Sequence, residues 1–78
     1  MLFIKEANNM NLESLLSVTK GNENITLFLD KSKTSAELVY TNDTVANVRN
    51  YPSFKDYAKH EVALVQSSNF GLIVTIKK

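Results

Sequence analysis

Alternating apolar and polar residues predict three strands in this chain. Residues 25–30 and 35–41 each alternate with a period of two, and a polar turn at 31–34 separates them. This pattern is typical of a β-hairpin. Residues 70–78 alternate in the same way and predict a final strand. A short apolar run at residues 2–6, ended by an asparagine-rich break, predicts a strand at the start of the chain.

A first helix is predicted from Leu12 onward. Leucines at positions 12, 15 and 16, followed by Thr19, have the i, i+3, i+4, i+7 spacing of an amphipathic helix. Asn11 is suited to be its N-cap, and Gly21 is suited to stop it.

A second helix is predicted over residues 53–66, with Ser53 as N-cap and the acid Asp56 at the third helical position. An alternative ends this helix near Glu61 and makes residues 62–66 a strand. The apolar residues at helical spacing are Phe54, Tyr57, Ala58, Val62 and Val65.

Residues 45–51 allow two interpretations. Val45 and Val48 suit a helical turn, whereas the whole run is also compatible with a strand. The stretch from Thr41 to Pro52 is long for a simple connector in so small a domain, which favours an extra strand at 45–51.

These elements predict one α+β domain over residues 1–78, since 78 residues are enough for one domain at most. The order is β-α-β-β-α-β, the ferredoxin-like arrangement, in which two helices cover one face of an antiparallel sheet of about four strands.

The period of two also predicts which residues lie on each face of the sheet. The inward set comprises Leu2, Ile4, Ile25, Leu27, Leu29, Ala36, Leu38, Tyr40, Leu72, Val74 and Ile76, packed on apolar residues of the two helices. The opposite, uncovered face then carries Phe3, Lys5, Phe28, Val39, Ile73, Thr75 and Lys77. An exposed apolar patch marks a partner surface, so these seven residues are the candidate partner-binding site. Two alternatives are that residues 45–51 cover this face, or that a register error has exchanged the faces.

Composition narrows the classes of function. Nine Lys and Arg residues against eight Asp and Glu give a net charge of +1, which argues against a dedicated nucleic-acid or membrane-surface protein. The chain has no cysteine for disulfides or thiolate metal sites. Apolar runs are too short for a membrane span, and the first residues do not have the pattern of a secretory signal. We therefore expect a cytoplasmic protein.

Catalytic groups are scarce. His60 is the single histidine, Gly21 and Gly71 are the two glycines, and the acids are spread along the chain. One histidine on the polar side of a helix favours no catalytic triad or transition-metal site, and two glycines exclude a glycine-rich phosphate loop. The sequence predicts no enzyme, no metal and no cofactor.

Residues 2–5 and 33–40 weakly resemble the two strand motifs of RNA-recognition-motif domains. Phe3 occupies the matching aromatic position in the first motif. In the second motif Ser35 and Glu37 stand at the two base-stacking positions, and Thr34 stands at the glycine position. The resemblance implies single-stranded nucleic acid as an alternative partner of the uncovered face.

The function that these patterns favour is a small binding module that acts through protein–protein contact, as an inhibitor or accessory factor. Abundant Asn, Lys, Ile and Phe with scarce Arg, Gly and Pro are what AT-rich codons would give. Phage and plasmid genes of low-GC bacteria fit this composition, and so do many ordinary bacterial genes. Antagonism of a host defence system is a further hypothesis based on size and class. A homodimer or larger homo-oligomer formed through the apolar face is the third alternative.

Overall fold

The structure, a computed structural model, describes residues 4–5, 10–32 and 34–78, with only the backbone described at positions 4 and 5. Five strands form one sheet in the order β1-β4-β5-β2-β3. The elements are β1 Ile4–Lys5, α1 Leu12–Ser17, β2 Asn24–Ser32, β3 Ser35–Thr44, α2 Val45–Asn50, a 3₁₀ helix Pro52–Asp56, β4 Val62–Ser68 and β5 Gly71–Lys77.

The sheet is open and mixed. Four strands of 7 to 10 residues make up most of it, and the two-residue β1 pairs with β4 at one edge. β2 and β5 run parallel to each other, while the pairs β2–β3, β4–β5 and β1–β4 are antiparallel. The α+β class and the hairpin of β2 and β3 are confirmed. The ferredoxin-like order is not confirmed, because two strands follow the last helical segment and the sheet is not purely antiparallel.

The predicted helix over residues 53–66 is wrong beyond its first turn, and the alternative strand at 62–66 is confirmed. Only Pro52–Asp56 is helical, as a 3₁₀ segment. In β4, Val62 pairs with Ile76 and Leu64 pairs with Thr75, so a bulge inserts one extra residue. The bulge places Val62 and Val65 three residues apart on the same buried face, a spacing that also suits a helix.

Most of residues 45–51 form the helix α2, so the helical alternative is confirmed and the extra strand is wrong. Thr44 caps α2, because its side-chain oxygen accepts a hydrogen bond from the amide of Asn47 at 3.2 Å. Val45 and Val48 are fully buried on one side of this helix. The segment therefore supplies core residues, which a strand on the far face of the sheet would not have done.

The N-terminus of α1 agrees with its prediction. The amide of Ser14 donates to Oδ1 of Asn11 at 2.8 Å, which confirms the N-cap. The helix ends at Ser17, before Gly21. The amide of Leu12 donates to the carbonyl of His60 at 3.0 Å, so α1 is joined to the segment that precedes β4.

The core lies between one face of the sheet and the helices. Its buried members are Leu12, Leu16, Ile25, Leu27, Leu29, Val45, Val48, Phe54, Ala58, Val62, Val65, Val74 and Ile76. In the described part of the chain, no helix is long and apolar enough to cross a membrane.

Two residues predicted to face inward lie outside this core. Leu38 is 49% exposed and Ala36 is also exposed. The cause is irregular pairing, because Leu27 pairs with Tyr40 while Phe28 pairs with Leu38. Val39 is an extra residue in β3, and it moves the side chains of the β3 residues before it, Ala36 and Leu38 among them, to the opposite face. The predicted core residue Leu2 lies outside the described residues.

Candidate functional site

The candidate site is the sheet face opposite the core. α1, α2 and the 3₁₀ helix all send buried residues to the core side, and no described helix lies on the other side. Strand register and the period of two define the residues of this open face. They are Thr26, Phe28 and Asp30 of β2, Ala36 and Leu38 of β3, Leu64, Gln66 and Ser68 of β4, and Ile73, Thr75 and Lys77 of β5. None of them is buried.

Four of the predicted site residues come together on the open face. Phe28 and Thr75 are direct neighbours across the parallel pair of β2 and β5, with Ile73 and Lys77 on either side along β5. These four residues were predicted from their alternation alone, which the central strands keep without interruption.

The other three predicted site residues are not placed on the open face. Val39 packs against the core cluster, so its assignment to the uncovered face is wrong. The backbone of Lys5 pairs with that of Val65, and the side chain of Lys5 lies outside what the structure describes. Phe3 lies outside the described residues.

Sequence reasoning missed Leu38, Leu64 and Phe70. Leu38 was assigned to the core because the β3 bulge is invisible in the alternation, and Leu64 was hidden inside a predicted helix. Phe70 is 77% exposed in the turn between β4 and β5. The available signal was an aromatic residue between Asn69 and Gly71, directly after the polar break at residues 67–69.

A shallow groove of about 350 Å³ crosses the open face near this turn. Phe28, Ile73 and Phe70 supply its apolar lining, and Thr26 and Asn42 supply polar groups at its other side. Asn42 has a positive φ of 44°, and its amide donates to Oγ1 of Thr26 at 3.0 Å. The side chain of Thr26 in β2 thus fixes the position of Asn42 at the edge of the groove.

Charge on the open face is confined to one end. Asp30 and Lys77 are paired in register on neighbouring strands, and Nζ of Lys77 lies 3.2 Å from Oε2 of Glu61. The remaining residues of the face carry apolar, hydroxyl or amide side chains. Depletion of charge around an aromatic centre is typical of protein–protein interfaces, whereas a phosphate-binding surface requires a cluster of cations.

A second polar cluster joins β3 to α2. Tyr51 donates its hydroxyl hydrogen to Oδ2 of Asp43, and Asn47 donates its side-chain amide to Oδ1 of Asp43 at 3.0 Å. The hydrogen bond from Tyr51 is the main cause that lowers the pKa of Asp43, and the same bond raises the pKa of Tyr51. The ring of Tyr51 also lies 5.5 Å from that of Tyr40, between ring centroids. These contacts fasten the helix to the sheet.

The lowered pKa of Asp43 predicts a pH dependence. The contribution of Asp43 to stability is present above its ordinary pKa of 3.8 and is lost as pH falls through its lower pKa in the folded protein. Replacing Tyr51 by phenylalanine removes the main cause, so the pKa of Asp43 should rise toward 3.8. A carboxyl-carbon NMR titration of wild type and Tyr51→Phe measures this. Tyr57→Phe is the control, and an unchanged Asp43 titration in Tyr51→Phe would contradict the hydrogen bond.

His60 lies in the segment before β4 and not on a helix as predicted. Its Nδ1 is 2.6 Å from the carbonyl oxygen of Lys77, and its ring lies 6.1 Å from that of Tyr57. Residues 10–32 and 34–78 contain no group of three or more acidic or histidine side chains placed to hold a metal ion.

The chain matches no protein-family model, no curated protein and no solved structure.

Proposed function

We propose that this protein is a small, non-enzymatic binding module that acts through protein–protein contact at the open face. The observation that carries this function is the placement of all described helices on one side of the sheet. The opposite side is left with a contiguous set of partly exposed apolar residues, namely Phe28, Leu38, Leu64 and Ile73. Patches of this kind are typical of interaction sites.

The chemistry of the open face favours protein over nucleic acid as the partner. Lys77 is its one cation among the described residues, and it is flanked by Asp30 and Glu61. Nucleic-acid binding depends on several cations that contact phosphates, and its affinity falls steeply with salt. The open face lacks such a cluster of cations among the described residues, so single-stranded nucleic acid is the less favoured alternative.

The biological role proposed for the module is that of an inhibitor or accessory factor of a phage or mobile element, acting in the cytoplasm. The small size of the chain and its composition, rich in Asn and Lys and poor in Arg, Gly and Pro, support this role. Antagonism of a host defence complex is the narrower form of the same proposal.

Site-specific photo-crosslinking in the organism that encodes the protein tests the function. A photoreactive amino acid at position 73 is expected to give protein adducts, because this position is at the centre of the open face. The control is position 18, where Val18 is 79% exposed on the helical side. Equal adducts from both positions, or none from position 73, would contradict a binding role for the open face.

The nucleic-acid alternative has its own measurement. Amide chemical shifts of the labelled protein are recorded with pools of random single-stranded RNA and DNA at low and moderate salt. We expect no salt-sensitive shifts at Phe28, Ile73 and Lys77. Clustered shifts there that disappear at moderate salt would assign the open face to nucleic acid.

A further inference from the structure

We propose that the open face also binds a second copy of this chain, packed face to face in a reversible dimer. The two copies are related by a twofold axis that lies between the two open faces. The axis runs parallel to the strands, above the gap between β2 and β5. This inference rests on the proposed function, since it names a partner of that surface.

The strand directions make the open face self-complementary. β2 and β5 are parallel and lie at the centre of the four long strands, while β3 and β4 flank them and run in the opposite direction. Rotation about the proposed axis therefore places β2 of one copy over β5 of the other, and β3 over β4. All four long strands overlap with matching directions, as in aligned sheet packing.

The register places opposite charges together. Asp30 and Lys77 lie at the same height on β2 and β5. The twofold axis between these strands therefore brings Asp30 of each copy over Lys77 of the other, and the symmetry makes this contact twice. Within each copy, Nζ of Lys77 also lies 3.2 Å from Oε2 of Glu61. The charged ends of two copies therefore attract each other in this arrangement.

The same register matches the apolar residues. Phe28 and Thr75 are paired, Leu38 pairs with Phe28, and Leu64 pairs with Thr75, so the four residues form one row across the sheet. In the dimer Leu38 of one copy faces Leu64 of the other, and both lie away from solvent. The exposed ring of Phe70, on the β5 side of the groove, is carried toward the Thr26 side of the second copy's groove.

The area of the open face suits a reversible dimer. Four strands spaced by about 4.8 Å and seven residues long at about 3.3 Å each span about 19 Å by 23 Å. Two such faces bury on the order of 900 Å², which is below the roughly 1,200 Å² of stable specific interfaces and in the range of weak, transient contacts. We therefore expect a monomer–dimer equilibrium that depends on protein concentration.

Sedimentation equilibrium of the purified protein over a range of concentrations measures the dimer directly. The mass should rise with concentration from 8.8 kDa toward twice that value. Ile73→Asp puts a charge at the centre of the face and should weaken the dimer at least roughly 30-fold. Val18→Asp, which alters an exposed apolar residue on the helical side, is the matched control and should dimerise as wild type does.

Charge reversal tests the arrangement of the two copies. Asp30→Lys should weaken the dimer, because each new lysine meets Lys77 of the other copy. Adding Lys77→Asp should restore much of the lost affinity, since opposite charges then face each other again. Circular dichroism at low concentration shows that each variant is folded.

Cross-linking tests the orientation of the two copies, since the chain has no cysteine of its own. A short bismaleimide should link a Leu38→Cys chain to a Leu64→Cys chain much faster than it links two Leu38→Cys chains. Preferential linkage of identical positions would overturn the proposed axis.

Two further results would overturn the dimer itself. They are a mass of 8.8 kDa at every concentration, or a dimer that Ile73→Asp and Asp30→Lys leave unchanged. If the purified protein is a monomer while position 73 still cross-links to a different protein in cells, the second copy is wrong and the binding module stands. Absence of both self-association and cross-links at position 73 would reject both.

Discussion

Replacing Gly71 by alanine is expected to destabilise the protein by about 3 kcal/mol, a large part of what a domain of this size has. Gly71 has a φ of +118°, which side chains other than glycine rarely adopt. A Cβ atom there would clash with the backbone oxygen of Asn24. Backbone cannot move aside as a flexible side chain can, so the turn between β4 and β5 must distort. Urea denaturation monitored by circular dichroism measures the loss.

The control for this prediction is the other glycine of the chain. A Cβ atom at Gly21 would meet its nearest heavy atom, Cβ of Ala46, at 3.5 Å, an ordinary contact. Gly21→Ala should therefore change the free energy of unfolding by less than about 1 kcal/mol. Equal midpoints for the Gly71→Ala and Gly21→Ala variants would show that Gly71 does not have the described conformation.

The second large effect separates the two faces of β2. Leu27→Ala should cost about 3 kcal/mol, because Leu27 is fully buried in the core and its truncation leaves a cavity. Phe28→Ala, one residue further, alters the open face and should cost much less in the dilute protein while it abolishes binding. Thermal melts at low concentration measure stability, and sedimentation and cross-linking measure binding.

The comparison of Leu27 and Phe28 is also a test of the face assignment. Both variants remove a large apolar side chain from the same strand, so strand propensity affects them similarly. A loss of stability in Phe28→Ala as large as that in Leu27→Ala would show that Phe28 belongs to a covered core, and the open face would then not be a binding site.

Elements that depend on neighbouring residues were predicted well. The N-cap at Asn11 and the hairpin of β2 and β3 follow from local hydrogen bonding and alternation, and both are confirmed. The strand at residues 62–68 was harder to predict, because the bulge gives its buried valines the spacing of a helix. At 45–51 the valines suited both a helix and a strand, and only their burial against the sheet distinguishes the two.

Only part of the candidate site was predicted, because alternation assigns a face correctly on regular strands and fails beside bulges. Phe28, Ile73, Thr75 and Lys77 lie on regular central strands, where alternation alone determines the face. Leu38 and Leu64 lie beside bulges, and a single extra residue moves a side chain to the other face. A bulge has no reliable signature in the chain because it is stabilised by the partner strand.

The amino-acid pattern by itself determined a small α+β domain with one amphipathic helix, a central hairpin and an apolar second face, since these features arise from contacts between near neighbours. Only the tertiary structure decided that β2 pairs in parallel with β5 and that residues 62–68 form a strand. The parallel pairing depends on contacts between residues more than 40 positions apart, such as Phe28 with Thr75, and the strand at 62–68 depends on its pairing with β5. Their free energy comes from packing the whole sheet at once, which local periodicity does not encode.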